Sequence, residues 1–189
     1  MSVARKPRAD GQRNRERLLE VAKAAFAEVG PEVSLEEIAR RAEVGIGTLY
    51  RHFPTRDAIV SAVYSRELAQ LANAVPHLMQ TRAPADALRE WMRMLVDYIA
   101  TKKVIAAALS TGQSGASELY AASGFQLTEA LGDLVANAAA RGEIRTDIDA
   151  DDLLRGLVGF TYGAGAPGWR ESALRLIDVL MDGMKPARG

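Results

Sequence analysis

Between Val44 and Arg56 the chain sets Gly45, Gly47, Thr48, Tyr50, Arg51 and His52, without a single carboxylate. A hydroxyl, a phenol, a guanidinium and an imidazole can all donate hydrogen bonds to phosphate oxygens or base edges. An acidic side chain in the same stretch would repel that polyanion. The two glycines permit close approach while adding no side-chain specificity. Arg56 opens the next helix, where the helix dipole already favours a phosphate. The chemistry on offer is nucleic-acid contact. Catalysis finds little support: the chain has only two histidines, and it lacks a nucleophile elbow, a phosphate-binding glycine loop and a histidine pair at metal-ligand spacing. The carboxylate pairs Glu36-Glu37 and Asp151-Asp152 fall at helix starts, where they complement the dipole. The run Asp147, Asp149, Asp151, Asp152 lacks the glycine and closing glutamate of a calcium loop, and reads as a helix cap. No enzyme, metal or cofactor is expected.

Helical spacing defines the elements that must hold these side chains. Leu18, Ala22, Ala25, Phe26 and Val29 recur at helical intervals until Gly30-Pro31 ends the run. Ser34 stands three residues before Glu37, the capping-box pattern, and opens a short helix through Ala42. After a break at Val44-Gly45 a second short helix runs from Ile46 to about His52, with Leu49 and Phe53 as its core residues. Ala39 lets the two helices approach, Val44 fills the corner, and Leu49 anchors the second helix while its other face stays in solvent. That is the geometry of a helix-turn-helix. Thr55 is placed to cap a long helix from Arg56 towards Val75 or beyond. Further helices are expected from Pro84 through Ile99, over Val104–Leu109, from Ser117 to Arg141 before Gly142, after the cap Asp149, and from Trp169 to Met184. No alternating strand pattern occurs, so the fold class is all-α with roughly nine helices.

The segment SLEEIARRAEVGIGTLYRHFPTRDAIV (34–60) closely resembles the N-terminal domain of the TetR family of bacterial regulators, over roughly residues 12–62. The resemblance implies that the helix beginning near Ile46 reads DNA. Thr48, Tyr50, His52 and Arg56 would grip phosphates, with Tyr50 also within reach of a base edge. Ile46 and Gly47 would face the bases and Arg51 would touch the backbone; Ser34 and Gly45 are also expected among the DNA-binding residues. Two residues depart from the pattern. Glu43 occupies the turn position usually given to glycine, at a cost of about 1 kcal/mol if its backbone is left-handed. Glu36 sits where some members place a base-reading side chain, and can either accept from cytosine N4 or cap its helix.

Residues 1–56 hold eleven Lys and Arg against eight Asp and Glu, although the whole chain is neutral. Arg5, Lys6 and Arg8 form a basic arm suited to phosphate or minor-groove contact. The expected organisation is a disordered arm at 1–11, a DNA-binding domain at 12–56, and a helical effector-binding and dimerisation domain at 57–189. Trp91, Met94, Leu95, Tyr98, Gln113, Tyr120, Phe125, Phe160 and Tyr162 are candidate lining for an effector pocket, although aromatics at helical spacing equally build plain core. The resemblance implies a homodimer through the last two helices, where Gly156 and Gly159 would allow close contact. The expected function is a one-component repressor, released from a palindromic double-stranded operator by a small, largely apolar effector. The rival reading is a helical protein-protein interaction module with a degenerate DNA-binding domain. The absence of cysteine excludes disulfides and fits a reducing cytoplasm, and no apolar run is long enough to suggest a membrane span.

Overall fold

The computed structural model describes residues 7–109, 115–160 and 166–186, with side chains described for 10–102, 124–160 and 166–186. Among the described residues the helices number eight: α1 (Pro7–Val29), α2 (Leu35–Arg41), α3 (Ile46–His52), α4 (Arg56–Thr81), α5 (Pro84–Leu109), α6 (Gly115–Ala140), α7 (Ala150–Gly159) and α8 (Trp169–Gly183). The expected count was one higher. Val104–Leu109 forms the last turns of α5, because neither glycine nor proline interrupts the chain between Pro84 and Leu109. The start also differs. Residues 7–11, read as part of an arm, begin α1, with Pro7 at its first position and Asp10 in its first turn. Proline is preorganised for that position. Arg5 and Lys6 lie outside the described residues, and so does the side chain of Arg8.

The chain divides into two compact units. The first takes in the described residues up to Arg66 and those from Val104 to Leu109; the second takes in Glu67–Lys103 and the described residues from Gly115 onward. The division therefore crosses α4 between Arg66 and Glu67 and α5 between Lys103 and Val104, whereas the expected boundary lay after Arg56.

In the first unit α1, α2 and α3 pack on one another. Leu18, Leu19, Ala22, Ala25 and Phe26 of α1 are buried, as are Ile38, Ala39 and Ala42 of the second-helix region, Leu49 and Phe53, and Ile59, Val60 and Val63 of α4. Burial of each large apolar side chain favours folding by about 1.5–3 kcal/mol. Val29, read as core, is instead exposed, since α1 ends there and Gly30 turns the chain away with φ 98°.

In the second unit Ala87, Leu88, Trp91, Met92 and Leu95 of α5 are buried, together with Leu131 and Leu134 of α6, Leu153 and Leu157 of α7, and Ala173, Ile177 and Met181 of α8. Ion pairs join α5 to α8: Arg170 to Asp97 at 2.6 Å and Arg93 to Asp178 at 2.8 Å. The Glu143 carboxylate accepts from the Ala85 amide at 2.8 Å, satisfying a free N–H in the first turn of α5. Asp149 caps α7 by accepting from the Asp152 amide. No helix among the described residues is long and apolar enough to cross a membrane.

Candidate nucleic-acid interface

Local chemistry sets the angle between α2 and α3. The Ser34 hydroxyl accepts from the Glu37 amide at 3.1 Å, which satisfies one of the orphan donors that start α2. The Glu37 carboxylate is held by Arg40 and Arg41, so the capping-box pattern is met on its Ser34 side. Hydrogen bonds from Arg40 and then Arg41 bring the Glu37 carboxyl down from 4.5 to about 2. Arg41 also donates to Glu28 at 2.7 Å, tying α2 to α1. The three charges are thereby spent on packing α2.

Helix α2 ends in a Schellman turn. The Val44 amide donates to the Ala39 carbonyl at 3.0 Å and the Glu43 amide to the Arg40 carbonyl at 3.1 Å, the two bonds that define the motif. Glu43 is left-handed, with φ 53°, as its place in a glycine position required. The same pair of bonds ends α6, from Glu143 to Ala138 and from Gly142 to Ala139, and there glycine holds the left-handed position at φ 69°.

Helix α3 follows at once, with Gly45 extended as its N-cap. Leu49 is fully buried and Phe53 nearly so, pinning one side. The side chains turned outward are Ile46, Tyr50 and Arg51, with Gly45 and Gly47 open between them and Thr48 and His52 half-buried. Arg51 folds back along its own helix, donating to the Gly47 carbonyl and the Thr48 hydroxyl, each at 3.1 Å. Ser34 and Glu36 are exposed at the start of α2. Thr55 caps α4 by accepting from the Ala58 amide at 3.1 Å.

Arg56 has partners within the fold. It is half-buried, and its guanidinium donates to the Val33 carbonyl at 2.6 Å and to the Pro31 carbonyl. It also lies over the Phe26 ring, 5.7 Å from the centroid. Arg56 thus clamps the first turn of α4 to the α1–α2 connection, using two of its five N–H donors on neutral carbonyls. The spacing pattern placed it correctly at a helix start; carbonyls brought near it by the α1–α2 turn claim its donors. A second cation, Arg15 of α1, stands over the Phe53 ring at 5.3 Å.

Two family models match the chain: that of the bacterial regulatory proteins of the tetR family over residues 18–63, and that of a transcriptional regulator C-terminal domain, SbtR-like, over residues 83–186. The second alone spans more than half of the sequence. The chain belongs to the TetR family. A solved TetR transcriptional regulator of Streptomyces coelicolor is 41% identical, covers 92% of this chain and 99% of its own, and superimposes with a TM-score of 0.84. A TetR transcription regulatory protein of Mycobacterium vanbaalenii is 33% identical over 96% of this chain and all of its own, with a TM-score of 0.80. An HTH-type transcriptional regulator of Staphylococcus aureus (strain USA300) is 33% identical over 98 residues, 51% of either chain. The chain thus spans about half the length of the curated relatives it matches. The TetR family is one of transcriptional regulators, not of catalysts, and the all-helical fold with its N-terminal helix-turn-helix agrees with it.

Among the described residues, the expected effector-lining side chains stand in different settings. Trp91 is fully buried, and its indole N–H donates to the Leu71 carbonyl at 2.9 Å; Leu95 and Tyr98 are buried beside it in sequence, and Met94 is half-buried. These belong to the packed core of the second unit. Phe125 is 73% exposed. Phe160 is half-buried, and its carbonyl accepts from the Trp169 indole at 2.9 Å. Gln113, Tyr162 and the Tyr120 side chain lie outside the described residues. A cavity of about 380 Å³ opens instead between α4 and α6, lined by Ala72, Asn73, Pro76, Gln126, Glu129 and Asp133 among others. Its polar positions on α6, spaced by three and then four residues, were a readable signal. On α7 and α8 the apolar Val158, Leu176 and Val179 are exposed. The aspartates of 147–152 are engaged locally, Asp147 with Arg145 and Asp152 with Arg155.

Proposed function

We propose that the chain is a DNA-binding transcriptional repressor that acts as a homodimer and leaves a palindromic operator when a small effector binds its second unit. The observation that carries the reading is the α2–α3 pair: a rigidly capped turn holds α3 so that Ile46 and Tyr50 are exposed beside two open glycines. No carboxylate lies from Val44 to Arg56, so this face meets a phosphate backbone without like-charge repulsion. Ile46, Gly47, Tyr50, Arg51, Thr48 and His52 form the proposed contact surface, with Gly45, Ser34 and Glu36 at its edge and the basic residues Arg5, Lys6 and Arg8 as additional contacts. Arg56 acts in this scheme as a clamp.

The exposed apolar side chains Val158, Leu176 and Val179 support a twofold contact through α7 and α8. Gly156 and Gly159 support it further, since a Cβ at either would meet nothing within 4 Å and a second helix can approach there. A twofold protein matches a palindromic site. For the effector we favour the α4–α6 cavity, because α4 is one continuous helix beginning at Arg56. A ligand that moves its later turns acts on the helix that the Arg56 clamp joins to α1 and α2. The buried residues Trp91, Leu95 and Tyr98 are then core and not lining, while the ligand combines an apolar body with a polar end able to meet Asn73 or Gln126.

Fluorescence anisotropy on DNA fragments from upstream of its own gene and the neighbouring genes tests the reading. Saturable binding to one fragment, resistant to non-specific competitor and with two subunits per site, is the expected result. Equal, salt-erased binding to every fragment would favour the interaction-module alternative.

A further inference from the structure

Resting on the DNA-binding reading above, we infer that Ile46 selects operator sequence by packing against the 5-methyl group of a thymine in each half-site. Ile46 opens α3 and is 38% exposed, although an isoleucine gains by burial. Gly45 and Gly47 flank it, and a Cβ built at either would meet no atom within 4 Å. Neither chain neighbour thus carries a side chain that could stand between Ile46 and an approaching surface. The nearest cation along the helix, Arg51, is folded back onto the Gly47 carbonyl and the Thr48 hydroxyl. Ile46 is thus the side chain at the start of α3 able to meet a base edge, and it has neither donor nor acceptor.

The major-groove edges narrow the partner. Guanine shows two acceptors, adenine an acceptor and a donor, and cytosine a donor, while thymine shows one acceptor and a methyl group. An apolar side chain against the polar edges strips their water and returns no hydrogen bond, which is unfavourable. Against the thymine methyl it buries apolar surface on both sides. Tyr50 lies one turn on along the same strip, 44% exposed, and its phenol can bond a phosphate, which carries no sequence information. Selection by Ile46 therefore reads an A·T pair with its thymine turned to α3.

Uracil substitution isolates the effect, because replacing one thymine by uracil deletes the methyl and nothing else. Operator duplexes with each thymine replaced in turn would be titrated by anisotropy with the unaltered protein and with Ile46→Ala. One position per half-site should weaken binding about fourfold, the value of one buried methyl, and about fifteenfold when both half-sites carry uracil. In Ile46→Ala that penalty should fall to about onefold with the melting temperature unchanged, since the side chain is exposed. A specific operator on which no uracil weakens binding more than about twofold would overturn the inference and leave the DNA-binding reading standing. A full uracil penalty retained by Ile46→Ala would do the same. Failure of the unaltered protein to select any fragment would overturn the DNA-binding reading, and this inference with it.

Discussion

Replacing Arg56 by alanine separates two roles for this residue that a binding constant alone would confuse. Family resemblance makes Arg56 a phosphate contact; the structure makes it a clamp on the Val33 and Pro31 carbonyls with its guanidinium over Phe26. A hydrogen bond from a charged donor is worth about 1.5–3 kcal/mol net when buried, and a partly exposed cation–π contact adds about 0.5–1 kcal/mol. Arg56 is half-buried, so water can reach the abandoned carbonyls and the sum must be discounted, to about 2 kcal/mol. For a chain of this size that corresponds to a fall in Tm of roughly 4–8 °C. Thermal unfolding by circular dichroism reads the first role, and the slope of log affinity against log salt reads the second. A clamp predicts a lower Tm, little rescue by Arg56→Lys because one ammonium cannot span both carbonyls, and an unchanged salt slope. A free phosphate contact predicts an unchanged Tm and, with one Arg56 lost from each of the two subunits on the site, a slope shallower by about 1.8. That second pattern would refute the clamp.

Glu43→Gly should raise Tm by roughly 2–4 °C, because glycine relieves a left-handed glutamate worth about 1 kcal/mol and the 4.0 Å approach of the exposed Glu43 to Arg17 contributes little; a lower Tm on a melting curve would contradict the Schellman reading. Glu37 has a folded pKa of about 2 against 4.5, so its contribution to stability is complete above about 4.5 and is lost as the pH falls from there towards 2. Glu37→Gln should therefore flatten the Tm–pH curve in that window and leave its shape near neutrality unchanged, as parallel melts in acid buffers would reveal. Val179→Asp should leave the helical content intact and yield monomers in sedimentation equilibrium, since Val179 is 67% exposed; a dimer that persists unweakened would place the twofold contact elsewhere.

Much of the interface was legible because its signals are local. Ser34 at cap spacing, the small Ala39 and Ala42, the apolar pair Leu49 and Phe53, and Thr55 before α4 each act within one or two turns, and each occurs in the structure where helical periodicity put it. Glu43 was legible for the same reason, as an unusual residue in a turn with fixed backbone demands. Arg56 was not, because its partners are carbonyls more than twenty residues away that only the folded α1–α2 connection brings near. The second unit was harder for a related reason. Trp91, Leu95 and Tyr98 have the composition of a pocket and the periodicity of a core, and the choice depends on which helix covers them. Phe125 reads as core by type, but α6 turns it outward. The union of Val104–Leu109 with α5 followed from an absence of breakers that the apolar grouping obscured.

A hydroxyl-radical footprint on the selected operator tests the central claim most directly. Two α3 helices in successive major grooves should protect two windows whose centres lie about 10–10.5 base pairs apart, symmetric about the operator dyad, and Tyr50→Ala should erase both together. A single protected window, or protection that survives Tyr50→Ala undiminished, would contradict the account of α3 as the reading helix of a twofold regulator.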